Sequence, residues 1–443
     1  MPVYSAVRFS QASQVAATVM SWTNPNLAAT LVAAAALSSP AVHAQGAASV
    51  ADAMSQSKLI LEARLRFEDV DQDPMTEDAE ASTLRARLGF ETGKIAQTTL
   101  LAEGEFVWPW RDDYRGDSGT MLHATHPVVA DPESQEVNRL QLTNTTLPAT
   151  TATLGRQRII LDDHRFVGNS PWRQNEQTFD GLRIVNRGVA SLAIDVSYLN
   201  QVNRVFGRES PQGRYEGHIY LANLAYQTAP GKITGFAYVL DFDPLTHFPG
   251  LTAAQAAALN PVNVSTETYG ARFAGERQVS KIKVGYVASY ATQRDYGQNP
   301  FDLSLDYTLL DLTGTYGQFS VGAGYERMEG NGVVGFSTPL GTLHRFQGWA
   351  DKFLTTPPNG IEDGYLNAAT TFKNLGPLET LAAVVTYHRY DAERVAQSYG
   401  SEIDLQVQAK WKRFTALLKY ADYRADHLLT DTAKFWVQLE YAR

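Results

Sequence analysis

Residues 58–68 read KLILEARLRFE, and from Leu59 onward almost every second side chain is apolar. Leu59, Leu61, Ala63, Leu65 and Phe67 make one set; Glu62, Arg64, Arg66 and Glu68 make the other. A period of two is what an extended strand shows when one face meets an apolar medium and the other a polar one. The same pattern returns at 83–91, where Leu84, Ala86, Leu88 and Phe90 alternate with Arg85, Arg87, Gly89 and Glu91. It returns again at 403–412, with Ile403, Leu405, Val407, Ala409 and Trp411 against Asp404, Gln406, Gln408, Lys410 and Lys412. Fainter copies lie around 192–198, 282–290, 303–309 and 319–325.

The links between these segments alternate as well. Tight turns are expected at Gly93-Lys94, Leu147-Pro148, Pro230-Gly231, Gly376-Pro377 and Lys412-Arg413. Long polar links fall at 69–80, 108–135, 200–214, 241–264 and 328–361. Short turns on one side and long loops on the other are the asymmetry of a bacterial outer-membrane barrel. The sequence therefore predicts an all-β fold, a transmembrane antiparallel β-barrel of about 18 strands over residues 58–443. The segment 344–354 fits an extracellular loop, a plug inside the lumen or an extra strand pair.

Composition agrees. At 443 residues the chain exceeds an ordinary single globular domain unless one closed architecture uses its whole length. A mean hydropathy of -0.26 suits strands of which only alternate residues face lipid. The absence of cysteine removes any disulfide framework. An apolar stretch from Leu27 to Leu37, followed by Ser38, Ser39 and Pro40 and then Val42, His43 and Ala44, predicts a signal peptide at 1–44, with cleavage after Ala44. A flexible segment at 45–57 is expected to precede the barrel. Cleavage leaves 37 basic residues against 47 acidic ones, a net charge near -10, which argues against nucleic acid as a partner.

At the other end Phe435, Val437, Leu439 and Tyr441 are expected to face lipid, with Trp436, Gln438 and Glu440 inward. This resembles the C-terminal signature read by the barrel-assembly machinery, although Ala442 and Arg443 follow the aromatic residue. The predicted partners are thus outer-membrane lipids, the assembly machinery and a hydrophilic anionic solute or saccharide, in the outer membrane of a Gram-negative bacterium.

The stretch 154–180, with the blocks LGRQRIILDDHRFVGN and WRQNEQTFD, resembles the alginate-export family of outer-membrane porins. TLRARLGFETG at 83–93, PVVADPE at 127–133 and HRFQGWADKFL at 344–354 are similar to the same family. The resemblance implies an 18-stranded monomeric barrel whose lumen is lined by arginines paired with acids, the namesake member exporting a polyanionic polysaccharide. It leaves the solute of this chain open.

The residues point to a charged pore independently. Arg64, Arg66, Arg85 and Arg87 share one face of neighbouring strands, and the turn at Gly93 would place Arg87 near Glu103 and Arg85 near Glu105. Such pairs could be a structural ion-pair ladder, an anion-attracting ring, or both. The expected pore lining further includes Arg139, Arg156, Arg158, Arg165, Arg173, Asp180 and Arg183. Arg156 and Arg158 break the pattern, since they share the parity of lipid-facing Leu154. A bulge at Gly155 would turn them inward; otherwise they lie above the hydrocarbon zone.

Catalytic, metal and cofactor sites are not expected. The chain lacks G-x-S-x-G and H-E-x-x-H motifs and no Walker or G-x-G-x-x-G phosphate loop stands out, so a barrel enzyme acting on lipid or saccharide is the alternative; Asp162, Asp163 and His164 could imitate part of a catalytic set. Asp69, Asp71, Asp73 and Glu80 carry calcium-loop spacing, but Pro74 holds the position that needs glycine. Trp108, Trp110 and Tyr114 read as an aromatic girdle, with sugar stacking at the pore mouth as the competing use.

Overall fold

Period-two segments cannot satisfy their backbone groups singly, and here they do so by pairing in a ring. The structure, a computed structural model, describes residues 49–116, 123–245 and 248–443. The expected signal peptide at 1–44 lies outside them. The strands are β1 (Lys58–Gln72), β2 (Ala79–Glu91), β3 (Thr98–Asp113), β4 (Ser134–Asn144), β5 (Thr150–Gln157) and β6 (Thr178–Asn186). They continue as β7 (Leu192–Asn203), β8 (Arg214–Gln227), β9 (Lys232–Phe242), β10 (Thr266–Val279), β11 (Ile282–Asp295) and β12 (Ser304–Tyr316). The last six are β13 (Phe319–Met328), β14 (Ile361–Leu375), β15 (Leu378–Asp391), β16 (Ser398–Trp411), β17 (Phe414–Ala425) and β18 (Thr432–Ala442).

Each strand pairs antiparallel with its sequence neighbours, and β1 pairs with β18, with Leu65 opposite Leu439 and Arg64 opposite Glu440. The result is a closed 18-stranded antiparallel barrel, which leaves no open sheet edge. Leu59, Leu65, Leu405, Val407, Phe435, Val437 and Leu439 are exposed on its outer face. Their alternates Arg64, Arg66, Asp404, Trp436 and Gln438 are buried inside. Before β1, a short helix α1 (Val50–Ser55) is capped by Ser49, whose hydroxyl accepts from the Asp52 amide at 3.1 Å. It rests on the first short turn, where the Gly93 amide donates to the Ala53 carbonyl at 2.9 Å.

The apolar core lies inside the ring, built by two links that fold into the lumen. The link 158–177 leaves the wall where β5 ends, and the link 329–360 joins β13 to β14. They meet through a parallel bridge between Val167 and Leu340, where the Gly168 amide donates to the Leu340 carbonyl at 2.9 Å. Phe166 packs among Phe236, Tyr238, Tyr307 and Phe336, so its ring seats the first loop against β9, β12 and the second loop. Of the three readings of 344–354, the plug holds: His344, Asp351 and Ala350 bond to lumen-facing side chains of β16, β17 and β18 or to the other loop.

Candidate pore constriction

Strand parity sends Arg64 and Arg66 of β1 and Arg85 and Arg87 of β2 inward, where they form a wall completed by β3, β4 and β18. Arg64 Nε donates to Glu440 at 3.0 Å and its Nη1 to the Pro171 carbonyl at 3.0 Å. Arg66 binds Asp131 at 3.0 Å and Gln438 at 2.7 Å, donates to the Trp172 carbonyl, and lies 4.2 Å over the Trp172 ring. Arg87 donates to Glu105 and, at 3.2 Å, to Glu62, and sits 3.6 Å from Glu176. Arg85 reaches Glu62 at 3.4 Å, while its Nε and Nη1 have no protein partner.

The expected β2–β3 register is corrected. Arg87 faces Glu105, Arg85 faces Val107, and Glu103 stands opposite Gly89. The turn after β2 is longer than a two-residue hairpin, with a bridge between Ile95 and Thr98, and this slides the pairing by two residues without changing the face. Glu103 instead takes the guanidinium of Arg139 in two bonds, 2.8 and 2.6 Å, and the amide of Asn138 at 2.8 Å. A register shift at Glu103/Gly104 lets both β4 side chains point inward against one carboxylate.

The inserted loops bring their own charges. Glu176 accepts from Arg158 at 2.5 Å, Asn138 at 2.6 Å and Asn169 at 2.8 Å. Burial alone would raise its carboxyl, yet Arg87, Arg158 and the two amides hold it down at about 2. Arg173 binds Glu68 at 3.3 Å and Asp351 at 2.5 Å. Asp351 also takes Lys434 at 3.3 Å and His344 Nδ1 at 2.7 Å. Burial would raise this carboxyl too, but His344, Lys434 and Arg173 hold it well below the usual carboxylate range. His344 Nε2 lies 2.7 Å from Lys419 Nζ, and since an ammonium can only donate, the imidazole accepts there and donates to Asp351. Burial depresses the imidazole well below its ordinary value. Lys419 is boxed by Trp172 at 4.0 Å and Trp349 at 3.8 Å.

On β13 to β16 stands a second wall that sequence reading did not assign to the pore. Glu326 accepts from Arg165 at 2.7 Å and Tyr307 at 2.9 Å, and Asp363 pairs with His388 at 2.9 Å. Glu402 accepts the Ala350 amide at 2.7 Å and Asp404 the Trp349 amide at 3.4 Å. Only Asp404 had been placed inward by alternation. At the loop tip, Asp162 meets Lys232 at 2.9 Å and Asp163 meets Arg272 at 3.1 Å, so these two acids serve as anchors on β9 and β10.

Of the expected lining residues, Arg64, Arg66, Arg85, Arg87, Glu103, Glu105, Arg165 and Arg173 are all inside but covered by the loops. Arg139, Arg158 and Arg183 are inside and partly open, at 14, 25 and 21% side-chain exposure; Arg183 is held by Asp195 at 2.5 Å. Arg156 and Asp180 are corrected. Gly155 has a φ of +108°, and a Cβ there would stand 2.3 Å from the Leu140 carbonyl, but the β4–β5 pairing runs through without a shift. Arg156 therefore stays opposite outward-facing Leu140 and forms a two-bond pair with Asp180, 2.8 Å each, in a notch shared with Val137 and Leu154. Arg158 turns inward only because the chain has left the wall after Gln157.

No known protein family and no curated protein is matched by the sequence. The fold is matched by solved structures from Pseudomonas aeruginosa. The outer-membrane protein OpdK, solved with vanillate, is 14% identical, covering 88% of this chain and 99% of its own at a TM-score of 0.64. OccK9 (OpdG) is 16% identical over 88% and 99% with a TM-score of 0.64, and OpdO 14% identical over 89% and 98% with a TM-score of 0.63. The fold is that of these barrels. The alginate-export resemblance rests on the quoted blocks alone.

Proposed function

We propose that the chain is a monomeric porin of the Gram-negative outer membrane, exported by its first 44 residues, that passes small hydrophilic solutes bearing a carboxylate: organic acids or uronate-type saccharides. The observation that carries this reading is which charges remain open to the lumen. The acids Glu326, Asp363, Glu402 and Asp404 are at most 2% exposed beneath the loops, whereas Arg139, Arg158, Arg183 and Arg272 keep part of their guanidinium surface free; the acids that stay as open, Glu62, Asp163, Asp195 and Glu440, are each paired to an arginine. Guanidinium groups held in fixed directions by carboxylates bind planar anions through two bonds, and a narrow low-dielectric lumen magnifies their field. The vanillate with which OpdK was solved is a carboxylate of the expected size class. Alginate-type uronates share the same charged group, so the resemblance over 154–180 adds to the chemistry without fixing polymer export.

The test is swelling of proteoliposomes in isosmotic glucuronate or glucose. Glucuronate should enter several-fold faster. Equal rates, or faster glucose entry, would remove the carboxylate preference while leaving the channel intact.

A further inference from the structure

The chain as a whole carries a net charge of -9, yet the rim formed by its short turns is basic. Arg187, Arg277, Lys281, Lys373, Lys412 and Arg413 are exposed there, and none has an acidic partner among the described residues. The acidic side chains on the same rim are Asp52, Glu91, Glu276 and Glu379; Glu276 is neutralised by Lys283 at 3.1 Å and Glu379 by Lys410 at 3.4 Å. In the lumen, by contrast, nearly every arginine is matched to a carboxylate. Cations without an acidic partner on one rim attract an external anion.

The surroundings of the Lys412–Arg413 turn suit one class of anion. Just inside it, on the outer face, Trp411 stacks on Phe414 at 5.4 Å and 18°, and Phe414 packs on Tyr441 at 5.3 Å. Arg413 Nη1 donates to Tyr441 Oη at 3.3 Å, which draws the guanidinium over the aromatic band instead of toward the pore mouth. Tyr316, Phe319 and Phe372 continue the exposed aromatic band at the neighbouring turns. Aromatic rings at an interface with cations directly beyond them match a glycerophospholipid, whose acyl chains run along the apolar wall while its phosphate meets the cations.

We propose that the short-turn rim is a binding surface for anionic phospholipid headgroups, centred on Lys412, Arg413 and the Trp411–Phe414–Tyr441 cluster. It rests on the outer-membrane reading, in which this rim faces the inner leaflet, and not on the anion preference of the pore. The surface ties the barrel's depth and tilt to the anionic lipids of one leaflet.

Native mass spectrometry of the full mature chain in detergent, with phosphatidylglycerol or phosphatidylethanolamine added, tests it. Phosphatidylglycerol adducts should persist at several-fold higher occupancy, and the quadruple variant Arg277→Gln, Lys281→Gln, Lys412→Gln, Arg413→Gln should bring them down to the phosphatidylethanolamine level. A matched variant of the opposite rim, with Arg111, Arg389, Arg394 and Arg424 changed to Gln, should retain them. Soluble glycerol phosphate at equal concentration should not displace the lipid. Equal retention of the two lipids, a loss common to both variants, or full competition by glycerol phosphate would each overturn the proposal. Heat-modifiable gel migration confirms that every variant is folded, and because the pore's ion preference is not read here, failure of one reading leaves the other standing.

Discussion

The two walls of the lumen hold the inserted loops by opposite means. On the arginine side, Arg87 of β2 and Lys434 of β18 meet the loop carboxylates of Glu176 and Asp351, Glu68 of β1 takes Arg173 of the loop, and Arg64 and Arg66 of β1 donate to its carbonyls at Pro171 and Trp172. On the acidic side, β16 presents Glu402 and Asp404, and the loop answers with the neutral main-chain amides of Ala350 and Trp349. The first arrangement is charge against charge and tolerates small shifts of backbone. The second depends on backbone shape: Gly348 at φ +84° lets the chain pass so close that a Cβ would stand 2.4 Å from the Glu402 carboxyl carbon. One wall is therefore sensitive to loss of a side chain and the other to gain of one.

The largest effect should come from the arginine side. Arg87→Gln leaves Glu105 and Glu176 short of their shared cation in a buried site, a loss of about 3–5 kcal/mol for a broken buried pair. Urea unfolding in liposomes should register it, together with a larger single-channel conductance as the loop 158–177 loosens. A stability loss too small to measure would mean that the wall is hydrated and the pair nearly free. On the acidic side, Gly348→Val should displace the loop at a cost of about 1–3 kcal/mol from the strained φ and the contact with Glu402. Open-channel noise should rise while gel migration stays that of the folded barrel; wild-type noise would show that the amide contacts do not hold the plug.

A smaller effect links the walls through His344. Its docked imidazole is neutral, with a value depressed below the ordinary 6.5, so the charged form is disfavoured only while the loop is docked. As pH falls below 6.5 the undocked loop takes up the proton first, and docking weakens progressively; the low Asp351 carboxyl adds its own loss only in far stronger acid. Plug-opening events should become more frequent from about pH 7 to about pH 5, and His344→Asn should flatten that dependence. A pH response unchanged in the variant would assign it to other groups.

How much of this was legible in the sequence follows from what has a period. The strands at 58–68, 83–91 and 403–411 announced themselves because lipid on one side and a polar lumen on the other force alternation, and the outward set Leu59, Leu65, Leu405 and Val407 came with them. The plug did not, because an irregular segment has no spacing to read: that Glu176 and Asp351 would meet Arg87 and Arg173 depends on long-range packing. Register was legible only to the nearest pair, since the length of the turn around Gly93 decides whether Arg87 meets Glu103 or Glu105. The place of Arg156 was not legible because a bulge at Gly155 is no more than permitted by the glycine, whereas Asp180, directly opposite in the register, neutralises the guanidinium on the outer face and leaves the pairing regular.

The central claim is that the open arginines, and not the buried acids, set the ion preference of the pore. Reversal potential under a salt gradient, measured on wild type, on Arg139→Gln/Arg158→Gln and on Glu402→Gln/Asp404→Asn, tests it most directly, because Gln and Asn keep the carbonyl that the loop amides need. The account expects an anion-selective wild type, a severalfold lower anion-to-cation ratio in the arginine pair and a ratio close to wild type in the acid pair. A cation-selective wild type, or an acid pair that moves the ratio more than the arginine pair does, would contradict it.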